Sequence, residues 1–166
     1  MDREQNNNTP TNSRYTTPFD VDRYSGSNYS SIYFFQKVSA LSDSIKDIMA
    51  NPSTAEFLEE KLGPSFNLTV EQKIEITRII RDVLLGDLFI GEMAQKISVR
   101  MKLSPDEAKK VGNLIVSELF GPAIEDIKKL QIEKFPEKIN KPIPEKPDLK
   151  IESDINKNNI VDLRNR

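Results

Sequence analysis

Neighbouring carboxylates are the side chains in this sequence whose spacing comes nearest to catalytic chemistry. Two carboxyl groups with different pKa values can act as a general acid and a general base. Three such pairs occur, at Glu59-Glu60, Asp106-Glu107 and Glu125-Asp126. Each pair falls where an exposed helix is expected to carry acids, and the second also fits the start of a helix. We therefore expect no catalytic residue and predict that the protein is not an enzyme.

The amino-acid inventory excludes most other site chemistry. The 166 residues include neither Cys nor His. Disulfides, the usual zinc sites and nucleophiles activated by His all need those residues. The sequence also lacks the spaced acids of a calcium loop and the Gly-rich loops that bind phosphates and dinucleotides. We expect no metal and no cofactor.

The charge balance gives no sign of a dedicated nucleic-acid binder. There are 24 basic and 26 acidic residues, for a formal net charge of −2. The densest basic group falls on two neighbouring predicted helices and comprises Arg78, Arg81, Lys96, Arg100 and Lys102. Such a group is either a solvated polar face or a candidate anion surface. The second interpretation defines our alternative function, a nucleic-acid-associated protein.

Apolar residues divide the chain into three parts. When Ala, Val, Ile, Leu, Met, Phe, Trp, Tyr and Cys are counted as apolar, there are 6 apolar residues in 1–30, 47 in 31–135 and 8 in 136–166. A polar segment cannot offset the entropy of ordering its backbone. We predict a disordered polar leader over 1–30, a helical domain over 31–135 and a Pro-rich disordered tail over 136–166.

Apolar residues of the central part recur at spacings of three and four, which is typical of amphipathic helices. No segment alternates with period two, and no hairpin signal occurs. The sequence predicts an all-α, compact bundle of five or six short helices, the first over 31–50 and ended by Asn51-Pro52. Gly63-Pro64 is expected to end the second helix, and Gly121-Pro122 to separate the last two.

Capping signals set the predicted helix boundaries. Capping boxes, in which a Ser or Thr cap pairs with an acid or amide three residues later, are expected at Ser53–Glu56, Thr69–Gln72 and Ser104–Glu107. Pro105 suits the first helical position. Asp87 is predicted to cap the fourth helix. Gly112 falls inside the fifth helix, where we expect it to allow close packing between helices.

The end of the sequence carries a candidate docking motif. Ile160, Val161 and Leu163 return to apolar character after a segment with four prolines in twelve residues. Such a segment is extended and acts as a spacer. Three interpretations stay open: the motif docks on a partner, it folds back along the domain's own surface, or its apolar content is chance.

Two stretches resemble known families. The run from Glu92 to Leu119, an amphipathic helix, a Leu-Ser turn and an Ala-Lys-Lys helix, resembles the N-terminal helix pair of HU-type histone-like DNA-binding proteins. In that family a β-ribbon arm after these helices grips DNA, whereas here Gly121-Pro122 and another helix follow. Leu85-Gly-Asp-Leu88, the turn 103–108 and Val161-Asp-Leu-Arg164 are similar to uncharacterised small helical proteins of reduced-genome bacteria, which implies no activity.

We expect a non-enzymatic helical protein-protein interaction module with tethering tails. Its partner would be another protein or a second copy of the chain. Ile74, Ile76, Leu88 and Ile90 widen the apolar stripes of the third and fourth helices beyond one face; they either fill the centre of the bundle or are covered by another chain. No apolar run reaches the roughly 18–20 residues that span a bilayer. With no secretory signal either, we expect a cytoplasmic protein with no membrane contact.

Overall fold

The computed structural model describes residues 16–22 and 31–139. Every regular element in these ranges is helical, which confirms the predicted all-α class. None of these helices is long and apolar enough to cross a membrane. The α-helices are α1 (Ser31–Ser39), α2 (Asp43–Ala50), α3 (Pro52–Glu56), α4 (Gly63–Phe66), α5 (Val70–Leu84), α6 (Met93–Met101), α7 (Pro105–Leu114), α8 (Ile124–Lys134) and α9 (Pro136–Ile139). Between them lie two π-helical turns, Phe57–Leu62 and Ile115–Leu119, and two 3-10 turns, Ile90–Glu92 and Gly121–Ala123.

The helices are more numerous than the five or six predicted. When each π or 3-10 turn is joined to the helix it continues, the described residues form eight helices. The predicted first helix, 31–50, is divided into α1 and α2, and Ser42 between them is extended with ψ 158°. The apolar spacing of three and four continues across this break, which is why the pattern did not reveal it.

Pro64 does not end the helix in which it lies. Residues 52–66 are one continuous helix, so the predicted stop at Gly63-Pro64 is wrong. The π-helical turn ends just before this dipeptide, and the Gly63 N–H donates to the carbonyl of Leu58, five residues earlier. This wider turn accommodates a residue that has no N–H to donate and whose ring crowds the preceding turn. The helix ends instead at Asn67, which has the left-handed backbone of a C-terminal cap, φ 49°.

Two of the three predicted capping boxes are present. The Gln72 N–H donates to the Thr69 hydroxyl at 3.2 Å, and the Gln72 side chain accepts from the Thr69 N–H at 2.9 Å. Ser104 and Glu107 make the same reciprocal pair, with Pro105 in the first turn of α7. These boundaries are set by local hydrogen bonds, which is why sequence alone located them.

Two other caps differ from the prediction. Asn51, not Ser53, caps α3: its side-chain oxygen accepts from the Ser53 N–H at 3.0 Å, and Pro52 takes the first helical position. Asp87 caps no helix, since the 3-10 turn that continues into α6 begins after Phe89. At α3 a competing residue two positions away satisfies a free N–H group, whereas the Ile90 N–H donates to Oε1 of Gln131 on α8 at 2.9 Å.

Helix α5 lies at the centre of a single apolar core. Its core-facing side chains, Ile76, Ile79, Ile80, Val83 and Leu84, are fully buried. Leu88 is also buried, while Ile74 and Ile90 are half-buried. Ile76 and Leu88 therefore belong to the core of the bundle, and Ile90 packs against its margin.

Residues 16–22, which we call the N-terminal strap, pack against the helical domain. Three of them are buried: Thr17, Pro18 and Val21. The Phe19 N–H donates to the Met49 carbonyl at 2.9 Å, and its ring lies 5.5 Å from that of Phe34. The strap is thus anchored by both backbone and aromatic contacts.

The predicted disordered leader over 1–30 is therefore wrong for the N-terminal strap. Average polarity over thirty residues hid a local group of apolar side chains that is large enough to anchor one turn of chain. The predictions for residues 1–15, 23–30 and 140–166 lie outside the described residues.

Candidate functional site: an acidic groove

An open groove of about 780 Å³ runs between two parts of the helical domain. One wall is formed by α2 and the helix 52–66, and the other by the π-helical turn Ile115–Leu119 with Pro122. We call it the acidic groove. It is lined by Ser44, Asp47, Ile48, Asn51, Ser53, Thr54, Glu56, Phe57, Glu60, Lys61, Glu118, Leu119 and Pro122.

The first wall exists because the chain bends at Asn51-Pro52. A residue before proline is pushed out of the α region, and Asn51 is extended with ψ 129°. The Thr54 hydroxyl then donates to the carbonyl of Ile48 at 2.8 Å, which ties the start of α3 to the end of α2. Both helices consequently present side chains to the same groove.

Two polar contacts connect the first wall to the second wall and to α8, which follows it. The Ser44 hydroxyl donates to Asp126 Oδ2 at 2.6 Å, which joins α2 to α8 and lowers the pKa of Asp126. The ammonium of Lys61 forms a salt bridge with the carboxylate of Glu118 across the groove. These contacts fix the distance between the two walls.

The floor of the acidic groove is apolar. Ile48 and Leu119 lie at its base and are 6 % and 9 % exposed. Phe57 is half-buried and Pro122 is exposed at one edge. An apolar floor in an open groove offers a place for one or two aliphatic side chains of a bound segment.

The rim of the groove carries a negative charge. Among the described residues, four carboxylates line it, from Asp47, Glu56, Glu60 and Glu118, against the one ammonium of Lys61. Lys61 is already paired with Glu118. The other three carboxylates are exposed and form no salt bridge with any residue the structure describes. The groove therefore favours a ligand with positive charges.

The predicted basic group is largely neutralised within the fold. Arg81 is 6 % exposed and donates from Nη2 to Asp82 Oδ1 at 3.0 Å and from Nη1 to Asp22. Burial alone would lower the pKa of Arg81, but its hydrogen bond with Asp22 and the charge of Asp82 outweigh burial and raise it. Arg78 also donates to Asp22, from Nε at 2.8 Å.

Of the remaining three residues of the predicted basic group, Arg100 lies near acidic side chains, and the two lysines are exposed. Arg100 Nη1 lies 3.7 Å from Glu75 and 3.9 Å from Asp82. Lys96 and Lys102 are exposed, and Lys102 ends α6 with φ 55°. The structure thus brings the three arginines together with acids and does not join them to the lysines in a free basic surface.

Each of the three carboxylate pairs has at least one member with a structural partner. Glu59 pairs with Lys73, and Glu125 pairs with Lys128 at 2.6 Å. Glu107 accepts from the Ser104 hydroxyl at 2.6 Å. Within residues 16–22 and 31–139, no group of acids is arranged to hold a metal ion.

The candidate docking motif, Ile160, Val161 and Leu163, lies outside the described residues. The acidic groove, in turn, was not predicted from the sequence. Its acids are at 47, 56, 60 and 118, so no spacing along the chain marks them as one site. The nearest signals were the two proline turns, Asn51-Pro52 and Gly121-Pro122, which we interpreted only as helix boundaries.

Comparison of the chain with protein-family models, curated proteins and solved structures finds no match. The two resemblances described above therefore stay predictions, and the functional argument depends on the geometry of the chain itself.

Proposed function

We propose that this protein is a non-enzymatic protein-binding module whose acidic groove holds a peptide segment with apolar and basic side chains. The observation that carries the proposal is the pairing of an apolar floor with an acidic rim in one open groove. Apolar contact supplies affinity that salt does not screen, and the carboxylates select for positive charge. Recognition of a peptide in a groove on a helical domain is a common mode of binding.

The alternative, a nucleic-acid-associated protein, has less support. A phosphate-binding surface needs basic side chains that are free to contact phosphates. Arg78 and Arg81 are engaged by Asp22, and Arg100 lies near two further acids. The exposed groove carries the opposite charge.

Selection from a random peptide library on the full chain tests the proposal. Recovered peptides should combine aliphatic residues with Lys or Arg. A chain with Glu56→Lys and Glu60→Lys should bind them at least about tenfold more weakly, because each change puts a like charge beside the ligand. Fluorescence anisotropy with a labelled selected peptide measures the difference.

A matched control, compared with Glu60→Lys alone, places the same single charge change outside the groove. Glu137 is exposed in α9 and forms no salt bridge with a described residue, so Glu137→Lys should leave affinity within twofold of the wild type. Equal weakening by Glu137→Lys would indicate a general charge effect and contradict a groove site. Selected peptides without basic residues would also contradict the proposal.

A further inference from the structure

We propose that the acidic groove is occupied by the chain's own residues 157–166, so that the protein inhibits its own binding site. This inference rests on the proposed function and names the segment that competes for the groove. The segment reads Lys157-Asn-Asn-Ile-Val-Asp-Leu-Arg-Asn-Arg166. It contains three basic residues and one acid.

The chemistry of the segment is complementary to that of the groove. Ile160, Val161 and Leu163 supply aliphatic side chains of a size that suits a floor formed by Ile48 and Leu119. Arg164 and Arg166 supply guanidinium groups, which bind carboxylates with two parallel hydrogen bonds. The groove has three carboxylates that no described cation neutralises.

The connecting chain is long enough to reach the groove from any point on the domain. Twenty residues, 140–159, separate the end of α9 from the apolar triplet. Extended at about 3 Å per residue, they span about 60 Å. A domain of this size is about 35 Å across. The length of residues 140–159 therefore allows the segment to reach any point on the surface of the domain.

Tethering favours the chain's own segment over one from a second copy. A segment on a linker of this length experiences an effective concentration on the order of 1 mM at a site it can reach. That exceeds the micromolar concentrations at which most proteins work, so even a segment with a dissociation constant of about 0.1 mM would fill most of its own grooves.

A spin-label experiment on the full chain tests this placement. The sequence has no Cys, so Asn165→Cys provides one attachment site. In ¹⁵N-labelled protein the attached nitroxide should broaden amide signals of groove residues such as Ser53, Glu60 and Leu119. Signals of α6, which lines no part of the groove, should keep at least 80 % of the intensity they have after the label is reduced.

Matched variants in the spin-labelled chain separate docking from proximity. Ile160→Asp with Leu163→Asp keeps the linker length and both arginines, and it should abolish the groove broadening. Asp162→Asn, which removes the segment's one acid, should preserve it. Groove broadening that survives Ile160→Asp with Leu163→Asp would overturn the inference. The absence of groove broadening in the labelled chain that carries no change besides Asn165→Cys would also overturn it.

Two further measurements distinguish the outcomes. In a mixture of ¹⁵N-labelled chains without nitroxide and unlabelled chains with it, groove broadening would place the segment of a second copy there and overturn docking within one chain. The Ile160→Asp, Leu163→Asp chain should bind a library-selected peptide about tenfold more tightly than the wild type, because the competitor is lost. Equal peptide binding by the wild type and this variant would overturn self-inhibition and leave the proposed function intact. If neither chain binds any selected peptide, the proposed function itself is overturned.

Discussion

At the residue scale, Arg81 is a charged side chain that lies almost out of solvent, and its partners make that burial tolerable. It is 6 % exposed and shares its donors between Asp22 of the N-terminal strap and Asp82 of its own helix. A buried charge that loses a partner keeps the cost of its desolvation. The ion pair between Asp22 and Arg81 therefore adds to the backbone and aromatic contacts that hold the strap.

Asp22→Asn should lower the free energy of unfolding by about 1–3 kcal/mol, the cost of leaving a buried polar group without its partner, because Arg81 and Arg78 lose a shared carboxylate. Urea denaturation measures this change. Asp43→Asn is the matched control: its side chain is fully exposed, and its pair with Lys46 has a distance of 3.3 Å. That control should change stability by less than about 0.5 kcal/mol, and an equal effect of both substitutions would contradict the role of the strap.

Ser104→Ala should destabilise the protein by about 1 kcal/mol at neutral pH, because the N-terminal cap of α7 is lost. Hydrogen bonds from Ser104 also lower the pKa of Glu107 from its usual 4.5. A carboxyl whose pKa is lowered by folding contributes stability above its unfolded pKa, and that contribution disappears as the pH falls through the folded value. The difference between wild type and variant should therefore shrink between pH 7 and pH 3.

Paired urea titrations at pH 7 and pH 3 measure this dependence. Ser117→Ala is the control, since the Ser117 hydroxyl is exposed and, among the described residues, donates to the carbonyl of Leu114 at 3.3 Å. Its effect should stay within about 0.5 kcal/mol at both pH values. A Ser104→Ala difference that grows on acidification would show that the assigned capping pair is wrong.

At the element scale, some helix boundaries could be predicted from the sequence and others could not. The caps at Thr69 and Ser104 depend on residues three positions apart, so they were predicted. The continuation of a helix through Pro64 depends on a π-helical turn, for which the residues 57–62 give no separate pattern. The break after α1 was missed because apolar periodicity alone does not distinguish one long helix from two aligned ones.

Replacement of Gly by Ala should have opposite effects on the stability of the protein at two positions. Gly112→Ala should stabilise the protein by about 0.5–1 kcal/mol, because a Cβ there would meet Met93 Cε and Ala94 Cβ at ordinary distances of 3.6 and 3.7 Å while α7 gains helix propensity. Gly86→Ala should destabilise it by at least about 1 kcal/mol. Gly86 has φ +70°, and a Cβ would lie 2.8 Å from Lys134 Cγ.

Thermal and urea denaturation of the two variants compare these signs directly. Larger side chains at position 112 serve as a further test, because the space between α6 and α7 is filled beyond one methyl group. Gly112→Leu should therefore be destabilising. A stabilising Gly86→Ala would show that the left-handed turn after α5 is wrongly placed.

At the scale of the whole molecule, the acidic groove is a product of packing and not of any one segment. Its walls come from residues about sixty positions apart, brought together by the bends at Asn51-Pro52 and Gly121-Pro122. Sequence patterns indicated both bends, but the path of the chain after each bend depends on how the helices pack around α5. The fold class was therefore predictable, and the groove was not.

The division between core and strap leads to a prediction for the whole domain. All buried residues of the apolar core cluster lie between Leu41 and Ile127, and none belongs to the N-terminal strap. A fragment of residues 31–139 should therefore still unfold in one cooperative transition. It should be less stable than a fragment of residues 16–139 by about 1–3 kcal/mol, because Arg81 loses Asp22.

Urea denaturation of the two fragments, followed by circular dichroism, checks both parts of this prediction. The Asp22→Asn change in the longer fragment should reproduce part of the loss, because the carboxylate is removed while the backbone and aromatic contacts of the strap are kept. A 31–139 fragment without a cooperative transition would show that the strap is part of the folding unit, and equal stability of the two fragments would show that its contacts with Arg81 contribute nothing to the fold.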